Sequence, residues 1–316
     1  MNFRKFYLII TSTLSIFMFL LGILTLSYIV LSEDTVTASK TPDNSLIEEI
    51  LSPYKMNRES INILLLGGDK VNNNTDTIML VNFNPATAET KILSIPRDTK
   101  IKLKGSTSKI NAAYPRGGGE LAVDAVSNLL GVEIKHYVYI DTSVFRKTID
   151  ILDGVDYYVP VDMDYDDPLQ KLHIHIKKGE QHFNGTKAEQ FMRYRQGNKK
   201  TVNKYYDGSD LKRIDAQQNF IKEVIRQKAN VFYITKMSEI LNVVFKNIDT
   251  DMSINDILQL SNNLGNLKAD ELKMFKLPGE SVYDVAWYYI INEEETSSIV
   301  DENFMLKSAS YSPQAN

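Results

Sequence analysis

The chain has 316 residues, enough for one large domain or two small ones, and its 43% apolar and 24% charged content is ordinary for a globular protein. A formal charge of −4 leaves no basic footprint for nucleic acid, and the absence of cysteine excludes disulfides, thiolate metal sites and cysteine nucleophiles. Of 36 basic residues only nine are arginine, so lysine is the default here and each arginine draws attention.

Residues 6–31 carry no charge. As a helix they would span roughly 39 Å against a hydrocarbon core of about 30 Å, which predicts a membrane-spanning N-terminal helix. The run is too long for a signal peptide and no A-x-A cleavage site follows it promptly, so the expectation is an uncleaved, single-pass anchor. Arg4 and Lys5 then keep residues 1–5 cytoplasmic, and the rest of the chain lies outside the cell membrane. Residues 32–58, with Pro42 and Pro53, read as an extracytoplasmic linker.

One domain is expected over residues 59–304, with a disordered tail at 305–316. "INILLLGGD" opens it as a buried strand ended by Gly67 and Gly68; "TDTIMLVNFNP" and "TKILSIP" are two more. Their short spacing predicts hairpins and therefore a mixed sheet. After the Gly-rich "PRGGGE" comes a helix over 120–130 closed by Gly131, then a strand at "KHYVYID", a helix over "TSVFRKTIDILDG" and a strand at "VDYYVPV". That alternation predicts an α/β layered fold, a mixed central sheet flanked by helices. Helices follow at "NGTKAEQFMRYR", at 210–228, at "ITKMSEILNVVFKNI" and at "INDILQLSNNLG", the last opened by a Ser253–Asp256 capping box. "ELKMFKLPG" and "VAWYYI" read as late strands, with Trp287 and its tyrosine neighbours in the core.

Two constellations carry chemistry. On the helix from 210, Asp210 can cap the N-terminus, and Arg213 and Gln217 share a face beside an apolar stripe of Ile214, Ile221, Val224 and Ile225. Arg193 and Arg195 stand two apart, so they face one site only if the backbone uncoils between them. Together with Arg97 these are four of the nine arginines, and guanidinium binds phosphate bidentately while keeping its charge. A cluster of them suits a pyrophosphate. The second group is Asp69 and Asp76, near the facing ends of two strands. Hard carboxylate ligands of that kind suit Mg2+ shared with phosphate oxygens, although spacing alone favours turn formers. "PRGGGE" ends in no G-K-[ST] and so is no P-loop; it reads first as a flexible helix entry. His173 and His175 share one strand face, but no third metal ligand is evident in sequence.

"NILLLGGD", "TDTIMLVNFNP", "ILSIPRDTKI", "KINAAYPRGGG", "GEQHFNGTKAEQFMRYR" and "DLKRIDAQQ", in this order behind one apolar span, resemble the LytR-CpsA-Psr family of bacterial cell-wall enzymes. The resemblance covers roughly residues 59–230. It implies a phosphotransferase at the outer membrane face, moving a glycopolymer (teichoic acid, capsule or another wall polysaccharide) from an undecaprenyl-pyrophosphate carrier to a peptidoglycan hydroxyl. It further implies an apolar tunnel for the polyprenyl chain. By motif match, Asp69 and Asp76 would hold Mg2+ or Mn2+, and Arg97, Arg193, Arg195 and Arg213 would neutralise the pyrophosphate, with Gln217 and Asp210 supporting them. Arg97 and Asp76 would be the catalytic pair; which group takes the acceptor's proton is left open by the resemblance, and Asp76 is the candidate. Two positions depart from the family pattern: Asn74 and Ala216 stand where arginine is usual, and Lys70 is a potential substitute for the first. A pyrophosphohydrolase and a weakly active wall-polymer scaffold are the alternatives. A DNA-binding role would need a cytoplasmic region larger than the residues before the span.

Overall fold

The computed structural model describes residues 59–68, 75–168, 172–198, 205–229, 248–253, 256–257, 260 and 267–306. The expected membrane span and linker, Asp69, Lys70, Asn74, the expected helix at "ITKMSEILNVVFKNI" and most of the one at "INDILQLSNNLG" lie outside the described residues, as does nearly all of the expected tail. Among the described residues no helix is long and apolar enough to cross a membrane.

The elements run β1 (Ile61–Gly68), β2 (Thr75–Phe83), β3 (Thr90–Ser94), β4 (Lys100–Leu103), β5 (Ser106–Lys109), α1 (Ala113–Leu130), β6 (His136–Asp141), α2 (Thr142–Ile151) and β7 (Val155–Val159). Then come β8 (Met163–Asp167), β9 (Leu172–Ile176), β10 (Gly179–Phe183), α3 (Gly185–Arg193) and α4 (Asp210–Lys228). The chain continues with β11 (Asp249–Thr250), β12 (Lys273–Lys276), β13 (Gly279–Tyr283), β14 (Trp287–Ile291) and α5 (Glu293–Asn303).

A six-stranded sheet in the order β11-β6-β1-β2-β3-β12 forms the centre. The tight connections make β1–β2 and β2–β3 antiparallel, whereas β1–β6 and β3–β12 are parallel across longer crossovers, so the sheet is mixed. Its apolar runs are not equally buried on both faces. Leu64, Leu66, Leu80 and Leu93 are fully buried on the face covered by Ala122, Val126 and Leu130 of α1 and by Val300 and Phe304 at the end of α5. Each such leucine contributes about 1.5–3 kcal/mol by leaving water. The other face carries Leu65 and Met79 against Ile221 and Ile225 of α4, and part of it is left to line a cavity. Asn62, wholly buried in β1, donates to the carbonyls of Glu133 and Phe304 and accepts from Asn82, tying the end of α5 to the sheet.

A second core, built from Val155, Ile174, Phe183, Phe191 and Phe220, packs the β7–β10 and β8–β9 ribbons against α2, α3 and α4. Phe183, Phe191 and Phe220 close on one another with ring centroids 5.5–5.8 Å apart.

Several sequence expectations need correction. The 120–130 helix is the second part of α1, which begins at Ala113 and kinks where Gly117 and Gly118 leave helical geometry; Gly118 has φ +68°. α4 is capped by Ser209, whose hydroxyl accepts from Lys212 N, because Asp210 already lies in the first turn with its carboxylate directed elsewhere. Trp287 is 60% exposed at the start of β14, where it packs on the exposed Tyr283 of β13, while Tyr289 further along the same strand face is buried. The helix α5 was not anticipated, although Asn292 followed by Glu293, Glu294 and Glu295 is a good N-terminal signal.

Candidate active site

The β3–β4 turn carries Arg97 and is held on every side. Thr99 donates through both its amide and its hydroxyl to the Pro96 carbonyl, and Ile95 N donates to Ile78 O. Asn111 N donates to Arg97 O, and Tyr289 N donates to Asp98 O. Lys109 Nζ lies 2.7 Å from Asp98. Pro96 ends the strand where its missing N–H costs no ladder bond. The side chain of Arg97 therefore projects from a fixed backbone.

Its guanidinium donates from Nη1 to Asp76 Oδ1, in the second position of β2. Asp210 accepts from Arg97 N at 3.4 Å and pairs with Arg213 Nη2 at 2.5 Å, and that same nitrogen donates to the Asp76 carbonyl at 3.0 Å. Arginine and aspartate thus alternate around a closed group. Burial works against the charge of Arg97, but Asp76, Asp210 and Asp98 outweigh it and hold its pKa above the ordinary guanidinium value. Arg213 is buried more deeply, and desolvation, aided by the charge of Arg97, pulls its pKa below the ordinary value against the attraction of Asp210.

The helix α3 ends at Arg193, and Tyr194 takes an extended conformation with φ −66° and ψ 133°. That uncoiling lets Arg193 and Arg195 line the same cavity despite standing two apart. Arg193 pairs with Glu189 at 3.2 Å, and Glu189 also receives Arg146 of α2 at 3.1 Å. Arg195 donates to the Gly208 carbonyl at 2.9 Å. Gln217 is buried and donates to Met192 O at 3.0 Å, so it fixes the end of α3 against α4. Gln218 ties α4 to the sheet through Ser94 and Phe275 O.

Asp76, Arg97, Arg193, Arg195, Arg213 and Gln217 all line one cavity of about 560 Å³. The remaining wall is largely apolar, with Leu65, Met79, Phe145, Leu172, Met192 and Ile221. The Nε–H groups of Arg97, Arg195 and Arg213 are buried and have no hydrogen-bond acceptor among the described residues. Buried donors of that kind favour an anionic ligand able to satisfy them.

Of the sequence-selected residues, Asp210 supports the group from behind, and Asp69 lies outside the described residues. Ala216 packs against the second core, so the position where an arginine is usual contributes an apolar contact. "PRGGGE" does not border the cavity. Sequence reasoning missed Glu189 and Asp141. Both line the cavity: the first as the bridge between Arg146 and Arg193, the second as the cap of α2, accepting from Ser143 N and Val144 N. An aspartate before Thr-Ser was a legible capping signal, but capping alone does not point to a site.

As a site for Mg2+, the described cavity lining offers three carboxylates: Glu189, which bridges Arg146 and Arg193, Asp141, which caps α2, and Asp76, which pairs with Arg97. Mg2+ commonly uses one or two carboxylates and takes its other ligands from phosphate and water, so the donor set fits that mode. Asp76 would have to share its oxygens between the ion and Arg97.

A family model described as the LytR_cpsA_psr family matches residues 26–304. The polyisoprenyl-teichoic acid–peptidoglycan teichoic acid transferase TagV of Bacillus subtilis (strain 168) is 31% identical over 214 residues, 66% of this chain and 53% of that protein. The chain thus matches about half the length of this relative. A transferase of the same description, TagU of Oceanobacillus iheyensis, is 29% identical over 275 residues, covering 84% of this chain and 81% of that protein. The crystal structure of B. subtilis TagV resembles the fold with a TM-score of 0.65 at 27% identity, over 78% of this chain and 98% of that one.

Proposed function

The chain belongs to the LytR-CpsA-Psr family, and on that premise we propose that it is a phosphotransferase joining a glycopolymer to peptidoglycan. Its donor is the glycopolymer on an undecaprenyl-pyrophosphate carrier, and its acceptor is a peptidoglycan hydroxyl. The observation that carries this reading is the cavity itself, whose lining combines four arginines and Asp76 with the apolar side chains of Leu65, Met79, Phe145 and Met192. A ligand with a pyrophosphate joined to a hydrocarbon chain combines the same two characters. The relatives named as teichoic acid transferases support the assignment of the polymer class.

In this mechanism Arg97, Arg193, Arg195 and Arg213 hold the pyrophosphate, and the charges developing on its oxygens meet donors already in place. Asp210 keeps Arg97 and Arg213 oriented, and Gln217 keeps the end of α3 in position. The acceptor oxygen bonds to the phosphorus that bears the glycopolymer as the bond from that phosphorus to the bridging oxygen breaks. Polyprenyl phosphate leaves, and Asp76 takes the hydroxyl proton. Mg2+ or Mn2+, held by Asp76 and Asp69, would supply neutralisation of the phosphate charge. The apolar wall takes the first units of the polyprenyl chain as the start of a tunnel. Residues 6–31 anchor the chain with its N-terminus inside and the catalytic domain outside the membrane.

The test is to incubate the detergent-solubilised full chain with a polyprenyl-pyrophosphate-linked labelled sugar, Mg2+ and peptidoglycan. Label appearing on peptidoglycan together with free polyprenyl phosphate supports transfer. Label released to water with no modified acceptor would instead mean a pyrophosphohydrolase, and binding without turnover would mean a scaffold.

A further inference from the structure

We propose that the outer face of the β8–β9 hairpin is a second metal site, for Zn2+ or a similar late divalent transition ion, with Asp166, His173 and His175 as ligands. It lies apart from the transfer chemistry and does not depend on it.

The antiparallel register sets Asp166 directly across from His173 and Asp164 directly across from His175. Strand alternation sends these four side chains to the solvent face, while Leu172, Ile174 and Ile176 of the same strand are buried. The third ligand that β9 alone does not supply therefore comes from β8. One ligand atom from each of Asp166, His173 and His175 falls within 4.8 Å of the others. His173 Nδ1 stands 2.5 Å from Asp166 Oδ1, and His175 Nε2 stands 3.4 Å from that same oxygen. Ligands around a tetrahedral zinc ion, at bond lengths of about 2.0–2.1 Å, stand roughly 3.3 Å apart. The His175 pair already meets that spacing, and the His173 pair reaches it by a rotation of an exposed ring.

An outer layer of contacts distinguishes this group from a chance meeting of solvated side chains. His175 Nδ1 lies 2.6 Å from Asp164 Oδ1, which fixes the ring and leaves Nε2 directed at Asp166. A carboxylate behind a ligating imidazole is the usual means of orienting it and raising its basicity. The backbone beneath is pinned as well. Asn198 accepts from Asp166 N at 2.6 Å and donates to Asp166 O at 2.9 Å, and Gln190 of α3 donates to His173 O at 2.7 Å. Two imidazoles and one carboxylate favour a borderline-soft ion over Mg2+, which prefers oxygen throughout. The fourth position faces solvent and takes water. Because Tyr165 and Leu172 of the same two strands line the arginine cavity, the ion braces one wall of that cavity across the strand pair.

Calorimetric titration of chelator-treated full chain with Zn2+ should show one equivalent bound in the presence of excess Mg2+. Co2+ in its place should give the intense d–d absorption of a four-coordinate nitrogen–oxygen site. His175→Ala and Asp166→Asn should abolish both signals, and Asp164→Asn should weaken binding roughly 10–100-fold. His182→Ala, on β10 beside Asp156, should leave both unchanged. All these side chains are on the surface, so far-ultraviolet circular dichroism of the metal-free variants should match that of the parent. Zn2+ binding that survives His175→Ala, displacement of the ion by Mg2+, or no stoichiometric binding by the parent would each overturn the proposal.

Discussion

Asparagine at position 210 keeps the shape of the aspartate and removes its charge, and the arginine group should respond strongly. The Arg213 side chain is 5% exposed, and its Nη2 is 2.5 Å from Asp210 Oδ1. Removing one partner of a buried pair costs about 3–5 kcal/mol, because the remaining charge is left uncompensated. Arg213 keeps its bond to the Asp76 carbonyl at 3.0 Å and borders the cavity, so the lower end, about 3 kcal/mol, is expected. At about 2–4 °C per kcal/mol for a domain of this size, Tm should fall by roughly 6–12 °C. Inorganic pyrophosphate supplies the missing negative charge, so it should raise the Tm of Asp210→Asn by more than it raises that of the parent. Scanning fluorimetry of both full chains, with and without pyrophosphate, reads this directly. A ligand-free Tm within about 2 °C of the parent, or equal pyrophosphate shifts in the two proteins, would refute the view that Asp210 balances a buried arginine poised for an anion.

Other consequences follow from the same geometry. Arg97→Ala should lower turnover by about 10²–10³-fold. Its stability loss should be small, because its pair with Asp76 is partly exposed and worth only about 0–1 kcal/mol; a large Tm drop with unchanged specific activity would contradict the assignment. Gly185→Ala places a Cβ 2.1 Å from the Arg146 carbonyl oxygen, so α2 and α3 must separate. Tm should drop, and the Arg146–Glu189–Arg193 bridge should loosen enough to raise KM. Tyr157 packs among Phe183, Phe191 and Phe220, and burial, with Glu223 adding to it, pushes its pKa up to about 12. The folded state then holds this proton after the unfolded chain releases it near pH 10, so stability should fall as pH rises from about 10 to about 12. Tyr157→Phe should flatten that decline in pH-dependent urea unfolding, and an unaltered slope would show that the phenol is not the cause.

Local signals carried much of the architecture. The apolar runs of β1, β2 and β3, the Gly131 cap and the helix beginning near residue 210 were legible because each rests on neighbours in sequence. The scarcity of arginine drew attention to four side chains that line one cavity. What escaped depends on pairing between distant strands or on which neighbour takes a contact. Asp166 was invisible as a partner of His173 until β8 and β9 were set in register. Glu189 stands four residues before Arg193, a spacing common on any solvated helix face, and its second partner, Arg146, comes from another helix. Ser209 displaced Asp210 as the cap because the aspartate is drawn to Arg213 and to the amide of Arg97. Trp287 reads as core on size and apolarity, but it stands at the end of β14 opposite Tyr283 of the exposed β13, and only Tyr289, further along the same face, reaches the core.

The central claim is that the phosphorus bearing the glycopolymer moves to the acceptor while the carrier leaves with the other. A donor radiolabelled only in the sugar-proximal phosphate tests this most directly. After reaction with the full chain and peptidoglycan, label should appear in the wall fraction as a phosphodiester, and the polyprenyl phosphate should be unlabelled. Label recovered as free glycopolymer phosphate, or retained on the lipid, would contradict it.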